Sequence, residues 1–390
     1  MEAVFATSIC KTRDIKSLPY IYNLIQNAYN LFEIEGYRIP FAFILYLSTS
    51  IFKQSQPAPD LGQRLAATLI KTIVEILPLW MVRLIFNFTG VVEQIENGMY
   101  MGEQRNKWCR RLKGGDGWDG YLIAENAKTE DVGENADMII LYAHGGGYIV
   151  GQALVSLVIF VRWIEAWKIS HGANTHIVSL EYGLSPENAF PSHRDSMLKC
   201  YQWLVNEKGI SPSKITLAGD SAGGNMALLS SFELLKNPTV YNTPLPSRLL
   251  LISPCVSALT VSQTFKTNYD ADCISEPWFY YSLASTIGNT NVHPTSPLIS
   301  PLFESCLRGL PKVWICVGGY EVFLDDIVSF VEKARSQEVS AELLIEEDNM
   351  HNYAIVWPLS RNGGAQRAMK YMSRFLYGEQ PVIRHHKIKG

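Results

Sequence analysis

The sequence predicts an α/β protein: a mostly parallel central sheet flanked by helices, with a helical region ahead of it. From about residue 119, short β-rich runs alternate with helix-period stretches, the pattern of a parallel sheet covered on both faces. The first hundred or so residues instead repeat apolar side chains at the 3.6-residue period. A chain of 390 residues that is 47% hydrophobic can bury a large core and still supply a second layer.

Taken in order, Ile21, Leu24, Ile25, Ala28, Leu31 and Phe32 fall on one face of a first helix. The run "IPFAFILYLSTSIF", residues 39–52, is strongly apolar but shorter than the roughly 20 residues a spanning helix needs. It reads as a buried helix or as an interfacial segment that tethers the chain to a membrane surface. Asp60 is a plausible N-cap for a helix with Leu65, Leu69, Ile73, Ile76 and Leu77 along its inner side, and Pro78 interrupts it. The inner faces of these helices carry few charges, so they are expected to cover something apolar. Residues 1–105 are expected to form a helical cap and residues 106–390 the sheet domain. Candidate strands there are "GYLIAE", "MIILYAH", "HIVSLEY", "ITLAG", "LLLISP", "VWICVGG" and "ELLIEE", with "RDSMLKCYQWLVNEKG" a helix between two of them. The stretch from about 256 to 295 breaks the rhythm and reads as an insertion over the sheet.

Composition removes several function classes. A net charge of -3 gives no general attraction to nucleic acid or anionic lipid. The seven cysteines, Cys10, Cys109, Cys200, Cys255, Cys273, Cys306 and Cys316, are odd in number and never in a metal-ligand spacing. They read as free thiols in a reducing compartment, with no structural metal. Glu2 and the lack of a basic n-region argue against secretion. The expected location is cytoplasmic, or at the endoplasmic reticulum membrane through the N-terminal region, and a homodimer is compatible with the sequence.

Chemistry concentrates in four short stretches. In "ITLAGDSAGGNMALL" a strand meets a helix at Gly-Asp-Ser-Ala-Gly, where small residues forfeit packing. Such a corner lifts a serine Oγ clear of the backbone and aims the helix N-terminus at it, which makes Ser221 a candidate nucleophile. The alternative is a Gly-rich turn without chemistry. Upstream, "LYAHGGGYIV" puts His144, Gly145, Gly146 and Gly147 at the end of another strand, where freed amides can stabilise an oxyanion. Downstream, "EEDNMHNY" carries His351 past the last strand, and "VGGYEVFLDD" offers Glu321, Asp325 and Asp326 between serine and histidine.

The set "HGGG", "GDSAG", "EYGLSPENAFP" and "MHNY" resembles the hormone-sensitive-lipase type of α/β-hydrolase, a group that includes microbial carboxylesterases and fungal steryl acetyl hydrolases. The resemblance spans roughly residues 119–375 and implies the α/β-hydrolase fold with an N-terminal helical cap. It implies Ser221 as nucleophile, His351 as general base, and an oxyanion hole among Gly145, Gly146, Gly147 and Ala222. His144, Asp220 and Glu187 match positions that support the site. Glu321 aligns with the family's triad aspartate, Asp325 being its competitor. "EYGLSPE" departs from the family by placing Gly183 where an arginine stands, which puts a contact behind the site in question.

The activity this implies is hydrolysis of a lipophilic small-molecule ester, with no cofactor. Acetylated sterols or terpenoids fit by family analogy. The same serine could serve acyl transfer, elimination or ring closure, and a small-molecule receptor is the rival class.

Overall fold

Strands β1 (Cys109–Lys113), β2 (Asp119–Ile123), β3 (Met138–Ala143), β4 (Thr175–Glu181), β5 (Ile215–Asp220), β6 (Arg248–Ile252), β7 (Lys312–Gly318) and β8 (Ala341–Glu346) form one sheet in the order β1-β2-β4-β3-β5-β6-β7-β8. From β4 to β8 every neighbour is parallel, while β1 and β2 run antiparallel at one edge. This is the α/β-hydrolase fold that the motifs imply. The computed structural model describes residues 59–87, 105–114, 117–288, 290, 292–356 and 359–379. The chain divides into two units, residues 1–53 and 54–390, and all described residues belong to the second. The helix expected around residues 21–32 and the apolar run 39–52 lie outside them.

Seven of the strands fall on the runs read from the sequence. The exception is β1, "CRRLK", a half-exposed edge strand whose arginines and lysine leave no apolar pattern to see. Strand-face alternation explains the two cores. Leu141, Leu217, Leu249 and Ile315 point to one face, under α3 (Ser192–Gln202), α4 (Ala222–Lys236) and α6 (Leu324–Ser336). Ile140, Tyr142, Ala218, Leu250 and Trp314 point to the other, under α2 (Leu157–His171) and α7 (Gly364–Tyr377). The apolar stretch after the glycine loop supplies Phe160, Trp163 and Trp167 to this second core, so it packs the sheet.

Two further helices cover the carboxyl ends of the strands. In the expected insertion, α5 (Glu276–Ile287) lies on the glycine loop: Ser282 Oγ donates to the Gly147 carbonyl at 2.5 Å, and Phe190 N–H donates to Thr286 at 2.8 Å. Helix α1 (Leu61–Ile76) starts at Asp60, whose carboxylate accepts from Gln63 N–H at 2.9 Å in a capping box. A second helical segment, 79–87, follows Pro78.

The inner face of α1 corrects the sequence reading. Leu65 and Leu69 are each 42% exposed, and the buried residues are Gln63, Ala67, Thr68, Lys71, Thr72 and Val74. The helix sits on loops rather than on the apolar sheet, and loops present carbonyls that need donors. Gln63 Nε2 donates to the carbonyls of Asp348 (2.9 Å) and Leu359 (3.1 Å), and Lys71 Nζ donates to that of Tyr269. Farther along, Ile73, Leu77 and Val74 join Val82, Ile149, Val150 and Trp278 in an apolar cluster beside the glycine loop.

Among the glycines of the described residues, the closest backbone approach is between α4 and β3. A Cβ on Gly223 would lie 2.0 Å from the Ala143 carbonyl oxygen, and neither backbone can yield cheaply. Gly223→Ala should therefore lose about 3 kcal/mol of unfolding free energy or more, read as a fall in urea midpoint at unchanged slope. An unchanged midpoint would mean that this contact does not fix the helix.

Candidate active site

Ser221 stands between β5 and α4 with φ 50° and ψ -116°, a strained conformation for a non-glycine residue. Local bonds hold it there: Ser221 N–H donates to the Ile252 carbonyl at 2.9 Å, and its own carbonyl accepts from Asn225 and Cys255, both at 3.0 Å. The serine is buried at 8% exposure, with the N-terminus of α4 directly behind it.

Glu321 and His351 lie beyond the ends of β7 and β8, and the structure brings them together. Glu321 Oε2 is 3.1 Å from His351 Nδ1, while Oε1 accepts from Ser253 Oγ and Gly318 N–H, both at 2.6 Å. Asp325 turns elsewhere, its Oδ2 accepting from Thr264 N–H at 2.9 Å. Asp326 is buried without a partner for Oδ2 among the described residues; burial, then the charge of Asp325, push its carboxyl up to about 6. The elbow and the histidine turn are joined next to the two reactive side chains, because Asn352 Nδ2 donates to Asp220 Oδ2 at 2.8 Å. Asn352 N–H also donates to Ser253 Oγ at 3.1 Å.

Burial disfavours the charged form of His351, but the hydrogen bond and charge of Glu321, backed by Asp272 and Asp220, reverse this and raise its pKa. Burial also raises the Glu321 pKa, opposed by its bond to His351. The direction that governs the pair is that of His351, whose Nδ1 proton lies between the two groups.

The glycine loop divides into one committed amide and two free ones. Gly145 N–H donates to Asp220 Oδ1 at 2.9 Å, so Gly145 is not an oxyanion donor; it ties the loop to the elbow. Gly146 and Gly147 turn through φ 105° and 62°. Among the described residues their N–H groups, and that of Ala222 in the first turn of α4, have no protein acceptor. Asp220 also takes the Tyr142 hydroxyl at 2.8 Å, and burial raises its pKa against these bonds.

The supporting residues act at different points. His144 is buried, donates from Nδ1 to the Gly145 carbonyl at 2.7 Å, and stacks on Tyr182 at 4.3 Å between centroids. Burial brings its pKa down to about 4, so it stays neutral. Glu187 lies at the surface and takes both ends of the Arg83 guanidinium at 2.8 Å each, which brings its carboxyl down to about 2. Arg83 also donates to the carbonyls of Ile149 (2.8 Å) and Ser185 (2.6 Å), clamping segment 79–87 onto the loop beyond the glycines. At Gly183, where the family has arginine, a Cβ would lie 2.5 Å from the Asn188 amide, which fills that space.

Sequence reading missed Asn352, Ser253, Arg83, Asn268 and Asp272. The first two lie inside quoted stretches, Asn352 in "MHNY" and Ser253 in "LLLISP", and that position was their only signal. The last two lie in the insertion, where no periodicity marks an inward residue.

A family model described as alpha/beta hydrolase fold matches residues 140–355, from within β3 to just past His351. The chain is 27% identical over 219 residues to an esterase of Acinetobacter venetianus, covering 56% of this chain and 68% of that protein. Against a carboxylesterase of Mycobacterium tuberculosis it is 28% identical over 228 residues, again 56% and 68% of the two chains. A solved structure titled as a hormone-sensitive lipase from a metagenome library aligns with a TM-score of 0.65 at 25% identity, over 81% of this chain and 97% of that one.

The electrostatics of the pair are open to direct titration. Followed by NMR, His351 should lose its proton above the value of about 6.5 usual for histidine. Glu321→Gln removes the largest raising influence and leaves burial opposed only by Asp272 and Asp220, so the titration should move to lower pH than in the wild type. Equal titration of wild type and variant would show that Glu321 does not govern the imidazole.

Proposed function

The chain belongs to the α/β-hydrolase family, in its hormone-sensitive-lipase group, and from that premise we propose that it hydrolyses carboxylic esters through an acyl-enzyme on Ser221. One observation carries the reading: the strained serine, the Glu321–His351 pair and three N–H groups without a protein acceptor among the described residues all lie beyond the carboxyl ends of strands of one sheet, β5, β7, β8 and β3. Ser221 Oγ attacks the ester carbonyl carbon while His351 Nε2 takes its proton. The oxyanion is held by the N–H groups of Gly146, Gly147 and Ala222, each contributing about 3 kcal/mol to the barrier reduction. Collapse breaks the bond to the alcohol, which leaves with the proton from His351. A water then gives a proton to His351 and attacks the acyl carbon, releasing the acid and restoring Ser221. Glu321 keeps the Nδ1 proton in place and stabilises the imidazolium.

The substrate in this reading is lipophilic, an acetylated sterol or terpenoid being the class that fits. Phe323 stands edge-on to His351 with centroids 5.3 Å apart, and Phe265 and Phe279 pack against it. Trp278 belongs to the apolar cluster beside the glycine loop. Apolar packing beside the general base suits a hydrocarbon part better than a sugar.

A membrane surface is the environment proposed for this substrate. Leu61, Leu65 and Leu69 are spaced four apart on α1 and exposed, as are Trp80 and Leu84 in 79–87. They follow the apolar run 39–52 in the sequence. No helix among the described residues is long and apolar enough to cross a membrane, so contact through these residues would be peripheral.

A panel of p-nitrophenyl esters of increasing acyl length, run beside acetylated sterols, tests the reaction and sizes the site. Ser221→Ala should lower kcat by roughly 10⁶ and abolish fluorophosphonate labelling. Glu321→Gln should lower kcat by roughly 10⁴, whereas Asp325→Asn and Asp326→Asn should cost little. Wild-type turnover by folded Ser221→Ala would eliminate the serine mechanism. In a separate measurement the full chain should float with phosphatidylcholine vesicles, and Leu65→Ser with Leu69→Ser should weaken flotation without touching hydrolysis of soluble esters. A full chain that stays at the bottom of the gradient would refute the membrane contact.

A further inference from the structure

We propose that Asp272, acting with Asn268 one turn earlier, is the positioning residue that sets His351 and Glu321 against each other. This rests on the ester-hydrolase reading and adds to it a residue from outside the recognised motifs.

The carboxylate of Asp272 is fully buried and accepts hydrogen bonds from the backbones of both loops that carry the pair. Its Oδ1 takes the N–H of His351 at 3.0 Å and of Cys273 at 2.8 Å; its Oδ2 takes the N–H of Val322, next to Glu321, at 2.9 Å. Asn268 grips the acid loop from the other side of the same backbone. Its Nδ2 donates to the carbonyls of Gly319 and Glu321, each at 3.0 Å. The Asn268 carbonyl in turn accepts from Ala271 and Asp272 N–H, each at 2.9 Å, which ties the two residues into one turn.

Other bonds also join the loops: Ser253 Oγ bridges the Glu321 carboxylate and Asn352 N–H, and two backbone bonds act earlier along the chain. Gly319 N–H donates to Glu346 at 2.9 Å and Tyr320 N–H to Asn349 at 3.0 Å. These fix the backbone before Glu321 and before His351. At Glu321 itself the N–H donates to the Gly318 carbonyl at 3.2 Å within its own loop, while the 268–272 turn takes the His351 N–H and donates to the Glu321 carbonyl. A misplacement of about 1 Å between catalytic groups can cost on the order of 100-fold in rate.

Asp272 also adds negative charge near the imidazole. The ionisable groups acting on His351 are Glu321, Asp272 and Asp220. Around Asp272 stand His351, Glu321, Cys273 and Lys71, and the Lys71 ammonium, buried on α1, donates to the Tyr269 carbonyl within the same turn and lies 4.2 Å from the Tyr269 ring centroid. An apolar side chain in its place would leave the N–H groups of His351, Val322 and Cys273 without this acceptor, so the carboxylate fixes the backbone on both loops at once.

Steady-state kinetics with p-nitrophenyl acetate on the full chain tests this. Asp272→Asn should lower kcat about 10- to 100-fold with KM within about twofold, and move the acid limb of kcat/KM to lower pH, because a negative charge near His351 is lost. Asn268→Ala should lower kcat with the acid limb unmoved, since no charge changes. Wild-type kcat in folded Asp272→Asn, or a loss confined to KM, overturns the proposal. Should Asp272→Asn fail to fold, Asn268→Ala decides: reduced kcat at constant KM supports the positioning role, and wild-type kcat overturns it. An active, probe-labelled wild type with unaffected variants sinks this inference alone, whereas an inactive and unlabelled wild type removes the ester-hydrolase reading and this inference with it.

Discussion

The approach of α4 to the end of β3 is the constraint from which the site follows. With only hydrogen on Gly223 facing the Ala143 carbonyl, the helix axis starts against the sheet edge, and the chain must turn sharply at Ser221 to reach it. A strained residue of this kind costs roughly 1–3 kcal/mol. The Ile252, Asn225 and Cys255 bonds to the Ser221 backbone offset it, and the result is a serine at the positive end of a helix dipole. A chain with larger residues at Gly219 or Gly223 would have to open this corner, and the glycine loop after β3 would lose its neighbour.

Buried carboxylates then convert the corner into a site. Asp220 joins the elbow to the glycine loop through Gly145 and to the histidine turn through Asn352. Glu321 joins the histidine to the ends of β6 and β7 through Ser253 and Gly318. Asp272 reaches the same two loops from the insertion. Each is buried, where an unpaired charge would be strongly destabilising, and each is saturated by directional donors from different segments. Polar bonds here fix geometry that apolar packing, being non-directional, would leave loose.

What could be read from the sequence divides along the same line. Periodicity is a signal of apolar burial, so seven strands and the helix of "RDSMLKCYQWLVNEKG" are legible, and so are motifs whose glycines answer to local backbone geometry. The edge strand β1 is not, because its burial is one-sided and its side chains are charged. Gly145 was grouped with its neighbours because a run of three glycines does not disclose which amide is already bonded; that depends on Asp220, 75 positions away in the chain. Asp272 and Asn268 were invisible for a similar reason, since their partners are loop backbones that have no identity in the sequence.

Helix α1 shows why amphipathic patterns mislead at a cap. Its leucines suggested an inner face, yet Gln63 and Lys71 point inward and Leu61, Leu65 and Leu69 outward. A helix that rests on a sheet meets paired backbone and buries hydrocarbon; one that rests on strand-end loops meets open carbonyls, and donors are the side chains that can be buried there. The same feature ties α1 to the loops around the site. Gln63 holds the Asp348 carbonyl three residues before His351, and Lys71 holds the turn that carries Asp272. The helix thus bonds with one face to the loops that carry His351 and Asp272 and leaves the other face apolar and exposed.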